Sequence, residues 1–248
     1  MKLLKPICLV LAMGSLSACA SAPKTAADFE ETREKVSVVL MKPDVEVKFN
    51  KVGSTDLRVD WTEEAEANLK SAIIKHLEST GETVIEFDTS TIGQSEHDQL
   101  IALNEQVSTA MGQHVANIGN TVFLGTLPHK KENKDEINYS LGSAISPVKS
   151  STNADYAAFL TYRATIESGG SFLTKIAVGT LTGYAPAGSD FRGTLVNLVD
   201  LNTGEIVWLN SRVAGSILAG DARNADNATK TVNSIMDDGP FVEAETEE

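Results

Sequence analysis

Thiols, imidazoles and clustered carboxylates are the side chains of this chain with chemistry to offer, and their spacing decides which chemistry is open. Two cysteines occur, Cys8 and Cys19. Cys19 follows Leu16, Ser17 and Ala18, behind Lys2, Lys5 and an apolar run from Ile7 to Met13. A basic start, a short apolar run and then small residues describe a secretory signal peptide. The run is too short to cross a hydrocarbon core of about 30 Å, which takes roughly 20 helical residues. It is expected to be cleaved. A thiolate nucleophile directly behind small residues suits covalent modification at one position, Cys19.

The other reactive groups form no such context. His76, His97, His114 and His129 show neither the i, i+4 spacing nor the cysteine partners of a zinc site. No G-x-S-x-G elbow, phosphate loop or dinucleotide glycine fingerprint is present; Gly179, Gly183 and Gly188 are too loosely spaced. Glu63, Glu64 and Glu66 cluster where a helix begins, a placement that the helix dipole alone favours. Trp61 and Trp208 read as core anchors. No catalytic residue, metal or cofactor is expected.

Leu16-Ser17-Ala18-Cys19 resembles the lipobox of bacterial lipoproteins, whose cysteine receives a diacylglycerol before cleavage. The resemblance implies cleavage between Ala18 and Cys19, so that Cys19 becomes the acylated amino terminus. Each buried methylene is worth about 0.8 kcal/mol, and stable anchoring takes more than one chain. A triacylated Cys19 meets that requirement. Ala20, rather than an aspartate, follows the cysteine; by the sorting pattern of such lipoproteins this implies the periplasmic face of the outer membrane.

The chain of 248 residues carries a formal charge of −13. Cleavage before Cys19 takes Lys2 and Lys5 and no acid, leaving the mature protein at −15. An acidic body of this kind repels nucleic acid and anionic surfaces, which excludes nucleic-acid partners and contact through a basic patch. With Cys8 removed and Cys19 blocked, no disulfide is possible, so core burial must hold the fold.

Four segments follow: the signal peptide 1–18, a lipid-anchored spacer 19–35, one domain over 36–236, and an acidic tail 237–248 expected to be disordered. Within the domain, Val36–Met41 and Val45–Phe49 read as strands. Asp60 and Glu63 suggest a capping box, and Ala65, Leu69, Ala72, Ile73 and Leu77 follow at helical spacing up to Gly81. Thr83–Phe87 reads as a strand and 95–114 as a second helix, with Leu100, Leu103, Asn104, Val107 and Met111 on one side. Strands are expected over 156–163, 193–201 and 205–209, the last two joined at Asn202-Thr203-Gly204 as a hairpin. A final helix covers 221–236. Residues 172–181 suit helix and strand alike. The fold class is α+β, an α/β sandwich: one mixed sheet, two or three amphipathic helices on it, and a C-terminal hairpin plus helix.

Ala154-Asp155-Tyr156-Ala157-Ala158-Phe159-Leu160 and Asp200-Leu201-Asn202-Thr203-Gly204-Glu205-Ile206-Val207-Trp208 resemble motifs of a broad set of periplasmic lipoproteins. That set includes the curli secretion channel subunit and the lipoprotein activators of penicillin-binding proteins. The resemblance implies a domain that binds another protein without catalysing a reaction, with Asp200, Gly204 and Trp208 in structural roles. A secretion channel would need two long amphipathic hairpins; the stretches around 90–122 and 168–193 are helix-like and short. A channel-type oligomer and a periplasmic enzyme are the alternatives to a protein-binding module.

Overall fold

Tyr156–Glu167 forms the central strand of the sheet, and every other element is placed by its relation to it. In chain order the strands are β1 (Cys19–Ala20), β2 (Lys24–Thr25), β3 (Ser37–Leu40), β4 (Asp44–Lys51), β5 (Ser54–Leu57), β6 (Thr83–Glu86), β7 (Tyr156–Glu167), β8 (Phe191–Asp200) and β9 (Ile206–Ala214). The helices are α1 (Val59–Ser79), α2 (Gln94–His114), α3 (Ser146–Thr152) and α4 (Ala225–Met236). The computed structural model describes residues 19–20, 24–25, 35–114, 139–170, 190–214, 220–237, 239 and 241. The ambiguous stretch 172–181 lies outside them.

The described strands form one mixed sheet. β3 and β4 both run parallel to β7, β3 beside Tyr156–Ala158 and β4 beside Thr161–Glu167. The break between them falls at Met41-Lys42-Pro43, where proline ends one stretch of pairing and the chain resumes in the same direction. β6 pairs parallel with β3 at one edge, and β8 and β9 continue antiparallel on the other side of β7.

Side chains alternate across the sheet. One face carries Val38, Leu40, Val47, Ala158, Leu160, Tyr162, Leu198 and Trp208 against α1 and α4. The other carries Val39, Met41, Ala157, Phe159, Val199, Ile206 and Leu209 against α2 and α3. The protein is an α+β sandwich of one mixed sheet with packed helices, as the apolar patterning predicts; the helices lie on both faces. Four described helices cover it, the seven-residue α3 being the one that patterning does not show.

Strict alternation fails at one place. From sequence, Ile206 and Trp208 share a side, and Val207 and Leu209 share the other. The register instead pairs Val199 with Ile206 and Leu198 with Trp208, which leaves Val207 as an extra residue. This bulge sends Ile206 with Leu209 to the α2 face and Val207 with Trp208 to the α1 face. Trp208 is 2% exposed there.

In α1 the expected stripe of Ala65, Leu69, Ala72, Ile73 and Leu77 is buried. Its N-cap is Arg58, not Asp60. Asp60 is taken instead by the Arg58 guanidinium, which donates from Nε at 3.0 Å and Nη2 at 2.6 Å. At the other end Gly81 takes φ +94°, and the Gly81 and Glu82 amides donate to Glu78 and Leu77, a Schellman motif.

Both expected extra-domain segments contribute to this body. β1 and β2, within the spacer, pair antiparallel with β9. Phe241, within the expected tail, is buried against the α1 face, its ring 6.1 Å from that of Tyr156. Phe241 at least is packed on the body.

Candidate interaction surface

Cys19 lies in β1, opposite Val213 of β9, at the outer edge of the antiparallel half of the sheet among the described strands. Ala18 lies outside the described residues. The other residues singled out by sequence serve the frame. Asp200 Oδ1 accepts from the Asn202 amide at 2.6 Å and the Thr203 amide at 3.2 Å, closing the turn between β8 and β9. Gly204 takes φ +77°, and its carbonyl accepts from Leu141 N and from Ser140 Oγ, both at 2.8 Å. The turn thereby holds residues 139–142 against the sheet.

Asp155 works in the same way at the start of β7. Its Oδ2 accepts from the Ser37 hydroxyl at 2.6 Å and the Ser37 amide at 2.8 Å, fixing β3 beside β7. These bonds favour the ionised form and hold its carboxyl below the usual range. On the α2 face, Arg163 donates to Asp44 Oδ2 at 2.5 Å and Glu105 Oε1 at 3.0 Å. Burial opposes its charge, and the two carboxylates outweigh it. Arg163 thus ties β7, β4 and α2 together.

His76 and His97, the histidines whose side chains are described, lie on helices that cover opposite faces of the sheet. His97 is buried, its ring stacked 6.2 Å from Phe87, with neither nitrogen hydrogen-bonded among the described residues. His76 lies on α1, its Nδ1 3.3 Å from Asn233 Oδ1 of α4. His129 lies outside the described residues, and His114 ends α2. Glu63 and Glu64 are exposed at the start of α1.

Two surface features stand out among the described residues. The first is an open groove of about 590 Å³ between α1 and α4. Lys75, His76, Ser79, Thr80, Asn233 and Asp237 supply polar groups along it, and Ala72, Met236 and Phe241 give it an apolar floor. Such a mixture of convergent polar groups over apolar surface suits a peptide segment better than a small apolar ligand.

The second is the β4–β5 hairpin. Val52 is 64% exposed, Leu57 54% and Val59 60%; these are the exposed large apolar residues among the described ones. Beside them Trp61 is half-buried, where sequence suggests a core anchor. The guanidinium carbons of Arg58 and Arg223 stand 4.1 Å and 3.9 Å from its ring centre, and Phe49 meets it edge-on at 5.2 Å. Both arginines are also paired, with Asp60 and Asp221. Sequence reading missed the hairpin because Ser-Thr-Asp-Leu is a polar strand without an apolar alternation. The signal available was Gly53 between two extended stretches, at φ +86°.

No protein-family model matches the sequence, and neither does any curated protein. Solved structures similar to this chain include a PelC dodecamer from Paraburkholderia phytofirmans, 11% identical, with a TM-score of 0.37 over 90% of this chain and 96% of that one. Lipoprotein GNA1162 from Neisseria meningitidis is 11% identical, with a TM-score of 0.32 over 80% of this chain and 92% of that one. The LpoB C-terminal domain from Salmonella enterica is 14% identical, with a TM-score of 0.29 over 74% and 87%. Scores of this size do not establish a shared fold, and no partner or assembly is carried over from these proteins.

Proposed function

We propose that the mature protein is a lipoprotein of the bacterial outer membrane, acylated at Cys19, whose periplasmic domain binds another protein and catalyses no reaction. The observation that carries this reading is Leu16-Ser17-Ala18-Cys19 behind a basic and then apolar start. Thiol acylation fixes the domain to a surface and raises its effective concentration toward any partner in the same envelope, so a weak binder suffices.

The groove between α1 and α4 supports a protein partner. It is open, it offers hydrogen-bonding groups from both helices, and its floor is apolar. The carboxylates of Asp155 and Asp200 and the backbone carbonyl of Gly204, all in the two sequence motifs, are occupied in strand and turn bonds. That occupation favours a scaffold role for them over substrate chemistry.

The test is photocrosslinking in cells, with a photoreactive residue at Lys75 or Ser79 in the groove, followed by mass spectrometry. The proposal expects one recurrent protein adduct from the groove positions, absent from a probe at exposed Ser150 of α3. Failure to recover any protein under several growth conditions would remove the binding-module reading.

A further inference from the structure

The stretch that follows the acylation site is bound into the sheet. Cys19 and Ala20 lie opposite Val213 and Arg212, and Lys24 and Thr25 opposite Leu209 and Trp208, all along one edge of β9. No other described strand pairs with that edge. β9 needs a cover there. It carries Ile206, Val207, Trp208 and Leu209 into the core, and an open edge on such a strand is a template for pairing with other chains.

The cover is short and irregular. The six steps from Cys19 to Thr25 meet the five from Val213 to Trp208, so the register slips by one residue between the two paired stretches. Pro23 falls in the same interval and cannot donate to a ladder. Four residue pairs hold this edge, against ten between β7 and β8. Pairing of that kind opens locally without unfolding the sheet.

The chain onward is long enough to leave the cover in place. Thr25 shares a ladder with Trp208, Leu198, Ala158 and Leu40, four steps of about 4.8 Å. Ser37 precedes Leu40 by three residues, about 10 Å along β3. The direct distance from Thr25 to Ser37 is then about 22 Å. Twelve residue steps reach about 40 Å.

We infer that residues 19–25 are a strap, which holds the lipid-bearing end of the chain on β9 and so keeps the folded domain directly against the bilayer. This goes beyond the proposed function and rests on acylation of Cys19. With the strap paired, Cys19 stands one strand spacing, about 4.8 Å, from β9. With it peeled away, the eighteen steps from Cys19 to Ser37 span up to about 60 Å. The strap therefore sets the height at which the domain meets a partner, and with it the effective concentration that the tether provides.

The test compares the acylated protein with its Ser21→Pro, Thr25→Pro variant, both in phosphatidylcholine vesicles, with the mass of each N-terminal peptide measured. The prolines remove donors from the strap and keep its length and charge. Hydrogen exchange is expected to be several-fold slower in the strap than in a free peptide of the same sequence. At residues 208–213 it should be several-fold slower than in the variant, with β7 and β8 alike in both. A donor dye on Glu205→Cys, exposed at the far end of β9, should transfer several-fold more to a headgroup acceptor than in the variant. An acylated protein whose strap exchanges like the free peptide overturns the strap and leaves the anchor standing. Equal protection at 208–213 overturns it in favour of another cover for β9, and equal dye transfer overturns its control of the height. If the variant loses protection in β7 and β8, the strap peptide of the unaltered protein decides alone. An unacylated N-terminal peptide overturns the anchor and the strap together.

Discussion

Replacing Gly204 by alanine separates the two demands that the β8–β9 turn makes on its glycine. At φ +77° any L side chain is strained, which costs roughly 1–2 kcal/mol. A Cβ at Gly204 would also stand 2.5 Å from the carbonyl oxygen of Gly142 and 3.1 Å from its nitrogen. Those are backbone atoms and cannot rotate away, so residues 139–142 must shift. The shift breaks the bonds that Leu141 N and Ser140 Oγ donate to the Gly204 carbonyl, each worth about 0.5–1.5 kcal/mol. The expected loss is about 2–5 kcal/mol. Gly53→Ala is the control: its φ of +86° imposes the same backbone strain, with nothing within 4 Å of the new Cβ. It should cost about 1–2 kcal/mol. Urea denaturation of the mature chain carrying Cys19→Ser measures both. Equal losses would refute the clash and with it the account of how this turn holds residues 139–142.

Trp208→Ala should cost about 3–5 kcal/mol by the same denaturation, because its side chain is buried on the α1 face. Asn104→Leu alone should destabilise by about 1–3 kcal/mol, since Asn197 Nδ2, which donates to Asn104 Oδ1 at 2.8 Å in the core, would lose its acceptor. Adding Asn197→Leu should recover part of that loss, and a purely additive cycle would contradict the pairing. Asp155 has a folded carboxyl pKa below its ordinary 3.8, held there first by the Ser37 hydroxyl and then by the Ser37 amide. Its contribution is therefore present above pH 3.8 and lost as the pH falls through the depressed value. Asp155→Asn should flatten the decline of stability in acid, and an unchanged acid profile would contradict a carboxylate stabilised by its bonds to Ser37 in the folded state.

The sheet and its long helices were legible because burial there follows simple periods. All five apolar positions expected on α1 are buried, and Gly81 ends the helix as its sequence position implies. What escaped sequence reading depends on pairing between distant segments or on competition at short range. Asp60 looks like an N-cap by type and position, yet the guanidinium two residues before it makes a bidentate pair and removes it from the helix end. The bulge at Val207 depends on how β9 meets β8, which alternation along β9 alone does not record. α3 carries four Ser and Thr residues and a single buried apolar side chain, Val148, so periodicity was absent. Pro147 in its first turn was the signal that could have found it. The groove joins residues 72–80 to residues 229–241, a meeting that only the packing of α4 on α1 creates. The proposal for Cys19 rests on the opposite kind of signal, a context that is entirely local in sequence.

Mass spectrometry of the N-terminal peptide from the membrane-extracted protein tests the central claim most directly. The expected peptide begins at Cys19 and carries acyl chains on its thiol-linked glycerol and its amino group. A peptide beginning elsewhere, or beginning at Cys19 with a free thiol, would contradict the account.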